Sequence, residues 1–209
     1  MRKVCIVFDL DGTLFDTKRG IIFALNYVLN HYGKKTIPIE QEDLYIGPPI
    51  KQSLMEYSGF NEENAIKASN LYRSVYINKF IHFTKIYKEA INVLDHLKRR
   101  NVLLGIATMK TQLQVEKLFS IFDIQDYFTY IEFAKVDCSY TKEEMLKKIK
   151  SSNSDIHNYT CYYIGDTKGD LVASRESGFN FIYAQYGYGN IDKSDLNSIH
   201  DIKELTKIF

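Results

Sequence analysis

The sequence lacks the features that would mark a membrane, secreted or nucleic-acid-binding protein. No apolar run approaches transmembrane length, and the first one, residues 4–8, is too short for the core of a signal peptide. The net charge is only +1, from 27 basic and 26 acidic residues, so no overall field attracts nucleic acid or anionic lipid. The three cysteines, Cys5, Cys138 and Cys161, show no metal-type spacing. These absences predict a cytoplasmic protein in a reducing compartment.

Short apolar runs alternate with helical patterns along most of the chain. The β-type runs are residues 4–8, 102–107, 160–164 and 179–184, with a weaker one at 128–133. Helical spacing of apolar residues follows at 88–100, 111–119, 142–150 and 169–177. Nearly continuous apolar strands are typical of a sheet covered on both faces. The sequence therefore predicts an α/β fold with a Rossmann-like parallel sheet and helices on both faces.

One long insertion interrupts this alternation. Roughly eighty residues separate the first strand from the next convincing one, whereas a crossover needs only about a dozen. The insertion has helical patterns at residues 21–31, 50–58 and 62–80, and the loop Ile46-Gly47-Pro48-Pro49 should break between helices. We expect a small all-α cap domain, residues 17–84, inserted after the first strand of a core formed by 1–16 and 85–209. The polar tail is expected to end in a short helix near 202–208.

Two carboxylates directly follow the first predicted strand. The carboxyl ends of parallel strands form the crevice where ligands bind, and Asp9 and Asp11, two residues apart, can face the same point and share a divalent cation. Gly12 would let the backbone approach a phosphate. An alternative remains open, because Asp11-Gly12 is also a strong hairpin-turn signal that requires a second strand straight afterwards.

A second acidic pair, Asp166 and Asp170, follows the run at 160–164. Acids at the ends of two parallel strands supply the hard oxygen ligands that Mg²⁺ prefers, although Asp166 alone could simply cap the following helix. Thr108 and the backbone at Met109, at another strand-to-helix junction, could bind an anion, but an N-cap explains a threonine there equally well.

Lys142 begins a helical run and could place a fixed positive charge in the crevice. Most lysines are solvated, and composition alone does not select Lys142 over Lys135, Lys147 or Lys148.

Together these segments resemble one family. Asp9-Leu10-Asp11-Gly12-Thr13, Thr108, Lys142, and Gly165-Asp166 with Asp170 resemble, in order and separation, the haloacid dehalogenase superfamily of phosphohydrolases. The loop at Ile46 to Pro49 and Gly187-Tyr188-Gly189 are similar to segments of its phosphoglycolate-phosphatase-like group, which carries a helical C1-type cap. The third motif departs from the family, since Tyr140-Thr141-Lys142-Glu143-Glu144 has no proline.

The resemblance implies a Mg²⁺-dependent phosphatase that acts through an aspartyl-phosphate. Asp9 would be the nucleophile, Asp11 the general acid and then the general base, and Lys142 an electrostatic partner. The implied substrate-binding residues are Gly12, Thr108, Met109 and Lys142. The implied metal-binding residues are Asp9, Asp11 through its carbonyl, Asp166 and Asp170.

The substrate remains open at this stage. A small phosphorylated metabolite is expected, with a phosphoglycolate-phosphatase-like activity, and a 5'-nucleotidase or pyrophosphatase is the alternative. A phosphomutase or a noncatalytic phospho-ligand-binding protein is a more distant one. Lys18, Arg19, Tyr45 and Lys51 of the cap are candidates for a second anionic group of the substrate. No nucleic-acid or membrane partner is expected, and the sequence does not decide between monomer and homodimer.

Overall fold

The computed structural model describes residues 3–137, 139–152, 156, 158–192 and 196–209. Cys138 lies outside the described residues. The chain divides into two compact units, one formed by residues 1–15 and 86–209 and the other by residues 16–85. These bounds differ by one residue at each junction from the division expected above.

The larger unit is built on a parallel sheet. The strands of the described chain are β1 (Lys3–Phe8), β2 (Phe15–Asp16), β3 (Lys85–Ile86), β4 (Leu103–Thr111), β5 (Tyr130–Ala134), β6 (Tyr159–Gly165), β7 (Asn180–Ala184) and β8 (Ser198–Ile199). Six of them form one sheet in the order β5-β4-β1-β6-β7-β8, and every neighbouring pair is parallel. The two-residue strands β2 and β3 pair with each other. The predicted α/β fold is confirmed.

Helices follow the strands as the patterns predict. They are α1 (Lys18–His31), α2 (Ile50–Ser58), α3 (Glu62–Val75), α4 (Ala90–Arg99), α5 (Gln112–Phe122), α6 (Lys142–Ser151), α7 (Lys168–Ser177) and α8 (Leu205–Ile208). The helices α5, α6 and α7 each begin with a reciprocal capping box, in which Thr111, Thr141 and Thr167 are the N-caps. Each box satisfies backbone donors that the first helical turn would otherwise leave unpaired. The starts of these three helices are thereby held in place.

The smaller unit, residues 16–85, is mainly helical. It contains α1, α2 and α3, a 3₁₀ segment at Ile39–Tyr45 and a π-helical turn at Tyr76–Phe80. The prediction of one helix over 62–80 is wrong in its second part, because α3 ends at Val75 and the backbone widens into the π turn. Tyr76 in this turn is fully buried, and its hydroxyl lies 3.1 Å from Thr84 Oγ1.

The tail contains one strand that the sequence did not predict. The strand β8 joins the edge of the sheet, where Tyr183 N donates to Asn197 O at 2.8 Å and Gln185 N donates to Ile199 O at 2.9 Å. The expected terminal helix at 202–208 is a 3₁₀ turn, Ile202–Glu204, followed by α8. Within the described part of the chain, no helix is long and apolar enough to cross a membrane.

Candidate active site

The chain leaves β1 at Asp9 and turns tightly around one carbonyl oxygen. Asp9 N donates to Ile164 O of β6 at 2.9 Å, so the residue after β1 is still held by its neighbouring strand. Leu10 O then accepts from the amides of Thr13, Leu14 and Phe15 at 3.2, 3.0 and 2.9 Å. This loop fixes the backbone that carries Asp9 and Asp11 at the carboxyl edge of the sheet.

The alternative of an Asp-Gly hairpin is wrong. Gly12 does adopt a positive φ of 72°, which favours glycine, and its amide donates to Phe15 O at 2.9 Å. However, β2 follows as a two-residue strand that pairs with β3 and not with β1. The Gly12 amide is used inside the loop. The absence of a side chain at Gly12 permits the close approach of Asp166. A Cβ at position 12 would lie 2.2 Å from Asp166 Oδ2.

Lys142 lies between two buried carboxylates. Its Nζ is 2.8 Å from Asp9 Oδ2 and 2.5 Å from Asp170 Oδ1. Burial alone would lower the pKa of Lys142, but Asp170 and Asp9 outweigh it and hold the pKa above its ordinary value. The choice among the four lysines was open from composition, and the structure places Lys142 against the acids. Lys147 and Lys148 instead pair with Glu143 and Glu132.

Asp9 is buried, and only one of its oxygens is paired. Oδ2 contacts Lys142, while Oδ1 is buried without a hydrogen-bond partner among the described residues. Burial raises the pKa of Asp9 to about 7, with further contributions from Asp170 and Asp11, and the charge of Lys142 opposes this rise. The environment of Asp9 therefore disfavours its charge until another cation approaches.

Asp166 is held by the loop that follows β7. Its Oδ2 accepts from Tyr188 N at 2.7 Å and from Gly189 N at 3.3 Å. A Cβ at Gly187 would lie 2.3 Å from Asp166 Cβ, so the loop can approach this closely only with glycine there. Asp166 does not cap α7, because Thr167 is the N-cap. Burial, and then the charges of Asp170 and Asp9, raise the pKa of Asp166 well above its ordinary value.

Asp170 is fully buried and already has several partners. Its Oδ2 accepts from Thr167 N at 2.9 Å and from Thr167 Oγ1 at 2.6 Å. Its Oδ1 faces Lys142 and the Tyr163 hydroxyl, which is 3.1 Å away and also 2.9 Å from Ala107 O. Burial would raise the pKa of Asp170, but Lys142 and Thr167 outweigh it, and the pKa lies below the ordinary value. These contacts are the ones expected of a carboxylate that stays charged and orients Lys142.

Three of the predicted acids form a group that could hold a metal. Asp9, Asp166 and Asp170 each offer a carboxylate oxygen, and these atoms lie within 4.8 Å of one another. The Asp11 carboxylate is not among them. In Asp166, as in Asp9, Oδ1 is buried without a hydrogen-bond partner among the described residues. Two unpaired oxygens therefore belong to the same buried group.

Thr108 lies at the same edge of the sheet. The register pairs Phe8 of β1 with Ile106 of β4, and Asp9 lies one residue beyond this pair while Thr108, still within β4, lies two residues beyond it. It is buried and is not the N-cap of α5, which is Thr111. Its Oγ1 accepts from Lys110 N at 3.3 Å. Met109 packs its side chain against the apolar cluster of the core, so any anion contact at this position would come from its backbone.

Sequence reasoning missed two side chains at the site. Lys110 is buried, and its Nζ lies 3.0 Å from Asp11 Oδ1. Tyr163 links Ala107 O of β4 to Asp170. The signal for Lys110 was its position two residues after Thr108 on the same strand, since alternate strand residues share a face. Tyr163 gave no signal, because a tyrosine in an apolar strand is usually a core residue.

The four candidate cap residues are engaged within the smaller unit. Lys18 pairs with Asp43 at 2.8 Å, and Lys51 pairs with Glu62 at 2.7 Å. The Arg19 guanidinium lies 4.7 Å from the centre of the Phe83 ring, and the buried Tyr45 hydroxyl is 2.9 Å from Ser58 Oγ. Contact with a substrate stays a prediction for all four.

Comparison with known proteins decides the family. The family model for haloacid dehalogenase-like hydrolases matches residues 6–184, which include the candidate site residues from Asp9 to Asp170. The chain belongs to this family. Its relatives and structural neighbours place it in the phosphoglycolate-phosphatase-like group and support a hydrolase that acts on phosphate esters.

Several haloacid dehalogenase-like relatives cover most of the chain. A 5'-nucleotidase from Pseudomonas aeruginosa is 29% identical over 92% of this chain and 87% of its own length. The pyrophosphatase PpaX of Bacillus velezensis is 28% identical, covering 85% and 81%, and a phosphoglycolate phosphatase from Aquifex aeolicus is 27% identical, covering 88% and 85%. The crystal structure of a predicted phosphatase from Clostridium acetobutylicum matches with a TM-score of 0.89 at 28% identity, covering 100% of this chain and 98% of its own.

Proposed function

We propose that this protein is a Mg²⁺-dependent phosphatase that hydrolyses a small phosphate monoester through an aspartyl-phosphate on Asp9, with a phosphoglycolate-phosphatase-like activity. The observation that carries the proposal is the state of Asp9. One of its oxygens is paired with Lys142 and the other is buried without a partner, within the same acidic group as Asp166.

The donor atoms fit Mg²⁺. They are all oxygens, and the unpaired Oδ1 atoms of Asp9 and Asp166 are buried groups whose charged forms are costly without a cation. Asp9, Asp166 and the Asp11 carbonyl would hold the ion. Asp170 would contribute by orienting Lys142. When bound, the ion neutralises charge on the phosphoryl group during its transfer.

The side chains divide the reaction into two displacements. In the first, an Asp9 oxygen attacks phosphorus, the bond to the leaving oxygen breaks, and Asp11 gives that oxygen a proton. In the second, Asp11 takes a proton from water as the water attacks phosphorus, and the bond to Asp9 breaks. Inorganic phosphate leaves and both carboxyl groups return to their starting states. Lys142 and Thr108 would stabilise the phosphoryl oxygens throughout.

A 5'-nucleotidase is the second candidate. It is favoured by the relative from Pseudomonas aeruginosa, which is 29% identical over 92% of this chain. The pyrophosphatase relative supports a third substrate class at 28% identity. The side chains that carry out the chemistry would be the same for all three, so the residues of the core do not choose among them.

A panel of phosphate compounds tests the proposal. Phosphoglycolate, purine and pyrimidine 5'-nucleotides, pyrophosphate and sugar phosphates would each be assayed for phosphate release with Mg²⁺ and with excess chelator. Mg²⁺-dependent release that is fastest with phosphoglycolate supports the main proposal, and preference for nucleotides selects the second candidate. No release from any compound by a folded protein would overturn the enzymatic proposal and leave a phospho-ligand-binding role.

The remaining expectations stay predictions. These are the small-metabolite partner, the absence of nucleic-acid and membrane partners, and a cytoplasmic location. Sedimentation of the purified protein would decide between monomer and homodimer.

A further inference from the structure

Lys110 is a second buried cation at the site, and the reaction outlined above gives it no task. Its side chain is only 4% exposed, and lysine is almost never buried to this degree unless it is paired. It lies near the end of β4, where the pairing with β5 shifts register between Thr108 and Thr111. Its Nζ is 3.0 Å from Asp11 Oδ1.

The two buried lysines serve different carboxylates. Lys142 contacts Asp9 and Asp170, whereas Lys110 contacts Asp11. Lys110 Nζ forms an ion pair with Asp11 Oδ1, an oxygen that is buried and accepts no hydrogen bond among the described residues. Asp11 is 21% exposed, so neighbouring apolar groups do not enclose it completely. The ion pair with Lys110 is therefore a charge contact that can hold this carboxylate in one orientation.

Orientation matters more for Asp11 than for an ordinary surface acid. A proton donor must lie within hydrogen-bond reach of the leaving oxygen, and the same carboxylate must then reach the attacking water. A small displacement of a catalytic group can cost about a hundredfold in rate. A carboxylate on a rotatable side chain meets these demands only if something holds it.

We propose that Lys110 is a positioning residue that holds the Asp11 carboxyl group in line with the leaving-group oxygen. This inference rests on the proposed function, and specifically on the proton transfer by Asp11. It differs from a direct contact between Lys110 and the phosphoryl group, in which Lys110 would act on every substrate alike. The two roles predict different results for a substrate whose leaving group needs no proton.

The test compares two substrates in four proteins. The substrates are an alkyl phosphate, whose alkoxide leaves only when protonated, and p-nitrophenyl phosphate, whose phenolate leaves unaided. The proteins are the wild type, Lys110→Met, Asp11→Asn and the double variant, each with saturating Mg²⁺. The quantity measured is kcat/KM, which reports the steps up to departure of the leaving group. Lys147→Met, an exposed lysine of α6, is the matched control.

If Lys110 positions Asp11, Lys110→Met lowers kcat/KM for the alkyl phosphate by about tenfold to a hundredfold, a fraction of what general acid catalysis supplies. The value for p-nitrophenyl phosphate changes by less than about threefold, by the same reasoning. In the Asp11→Asn background, Lys110→Met has no further effect on either substrate. Equal losses of kcat/KM with both substrates would overturn the inference. So would a loss from Lys110→Met that is as large in the Asp11→Asn background as in the wild type.

Two further outcomes are covered by the same set. If Lys110→Met does not fold by circular dichroism, Lys110→Arg replaces it in the same assay. If Lys110 positions Asp11, the displaced guanidinium should lower kcat/KM for the alkyl phosphate and not for p-nitrophenyl phosphate. If Lys110 serves only as a structural cation, Lys110→Arg should not lower the alkyl phosphate value selectively. If Asp11→Asn itself hydrolyses the alkyl phosphate at the wild-type rate, the proposed role of Asp11 fails, and the positioning role of Lys110 falls with it. If Asp11→Asn is inactive on the alkyl phosphate but Lys110→Met lowers kcat/KM equally for both substrates, the result counts against the role of Lys110 and leaves that of Asp11 intact.

Discussion

We expect the substitution Asp9→Asn to abolish hydrolysis and, at the same time, to stabilise the metal-free protein near neutral pH. The loss of the nucleophile should lower kcat by at least about 10³-fold, as for other residues that form covalent intermediates. The gain in stability has a different cause. Asp9 is a buried carboxylate with one unpaired oxygen, and asparagine keeps its shape without its charge. Lys142 keeps Asp170 as its partner at 2.5 Å, so the variant leaves no unpaired cation.

The magnitude follows from the pKa of Asp9. Burial raises it from 3.8 to about 7, which corresponds to roughly 4 kcal/mol at about 1.4 kcal/mol per pH unit. The contribution of Asp9 to stability is full below the unfolded-state value and is lost as pH rises through the folded-state value. Wild-type stability should therefore decline relative to the variant between about pH 4 and about pH 7 and then stay level. We take roughly 4 kcal/mol as an upper limit, because neighbouring charges relax.

Urea unfolding in the presence of a chelator, repeated across this pH range, measures the effect. The variant should be the more stable protein at about pH 7.5 and should approach the wild type at low pH. Adding Mg²⁺ should stabilise the wild type more than the variant, because a ligand stabilises the state that binds it. Parallel pH profiles for the two proteins, with the variant less stable throughout, would refute the argument that burial of the Asp9 charge is unfavourable.

Three further substitutions test other parts of the site. Lys142→Met should cost about 3–5 kcal/mol of unfolding free energy, because it leaves buried carboxylates unpaired, while the exposed control Lys147→Met should leave urea unfolding unchanged. Gly12→Ala should destabilise by at least about 1 kcal/mol and weaken Mg²⁺ activation, because of positive φ and a steric clash. Gly33→Ala is the matched control, because Gly33 has a similar φ of 64° and an added Cβ would meet nothing within 4 Å. It measures the cost of positive φ without a steric clash. Tyr163→Phe should cost about 1–2 kcal/mol in the same unfolding assay and lower kcat, because a buried hydroxyl is lost; unchanged values would contradict its linking role.

Local pattern predicted the strands that are buried on both faces. Runs such as residues 160–164 lie within β6, since apolar continuity and the turn after it are both local signals. The strand β8 gave no such signal, because it has two residues in a polar tail and exists only by pairing with β7. The end of α3 at Val75 was missed for a related reason, since the apolar spacing continues through the π turn.

The site divides in the same way. Asp9, Asp11 and Asp166 could be selected because acids just after apolar strands have no packing role, and Asp170 because it follows Asp166 closely; strand ends converge at one edge of a parallel sheet. Lys142 could be selected only by resemblance, and Lys110 was not selected at all. Lysines are common on surfaces, and burial is a property that the surrounding elements confer.

The sequence by itself determined the alternation of the five longer strands with helices, the long helical insertion and the acidic residues near the strand ends, because each depends on the spacing of neighbouring residues. Only the tertiary structure decided which partner each carboxylate has. Lys142 joins Asp9 to Asp170, Lys110 faces Asp11, and the amides of Tyr188 and Gly189 hold Asp166. These contacts join residues far apart in the chain, and their energies depend on burial, which arises only when the sheet brings its strand ends together.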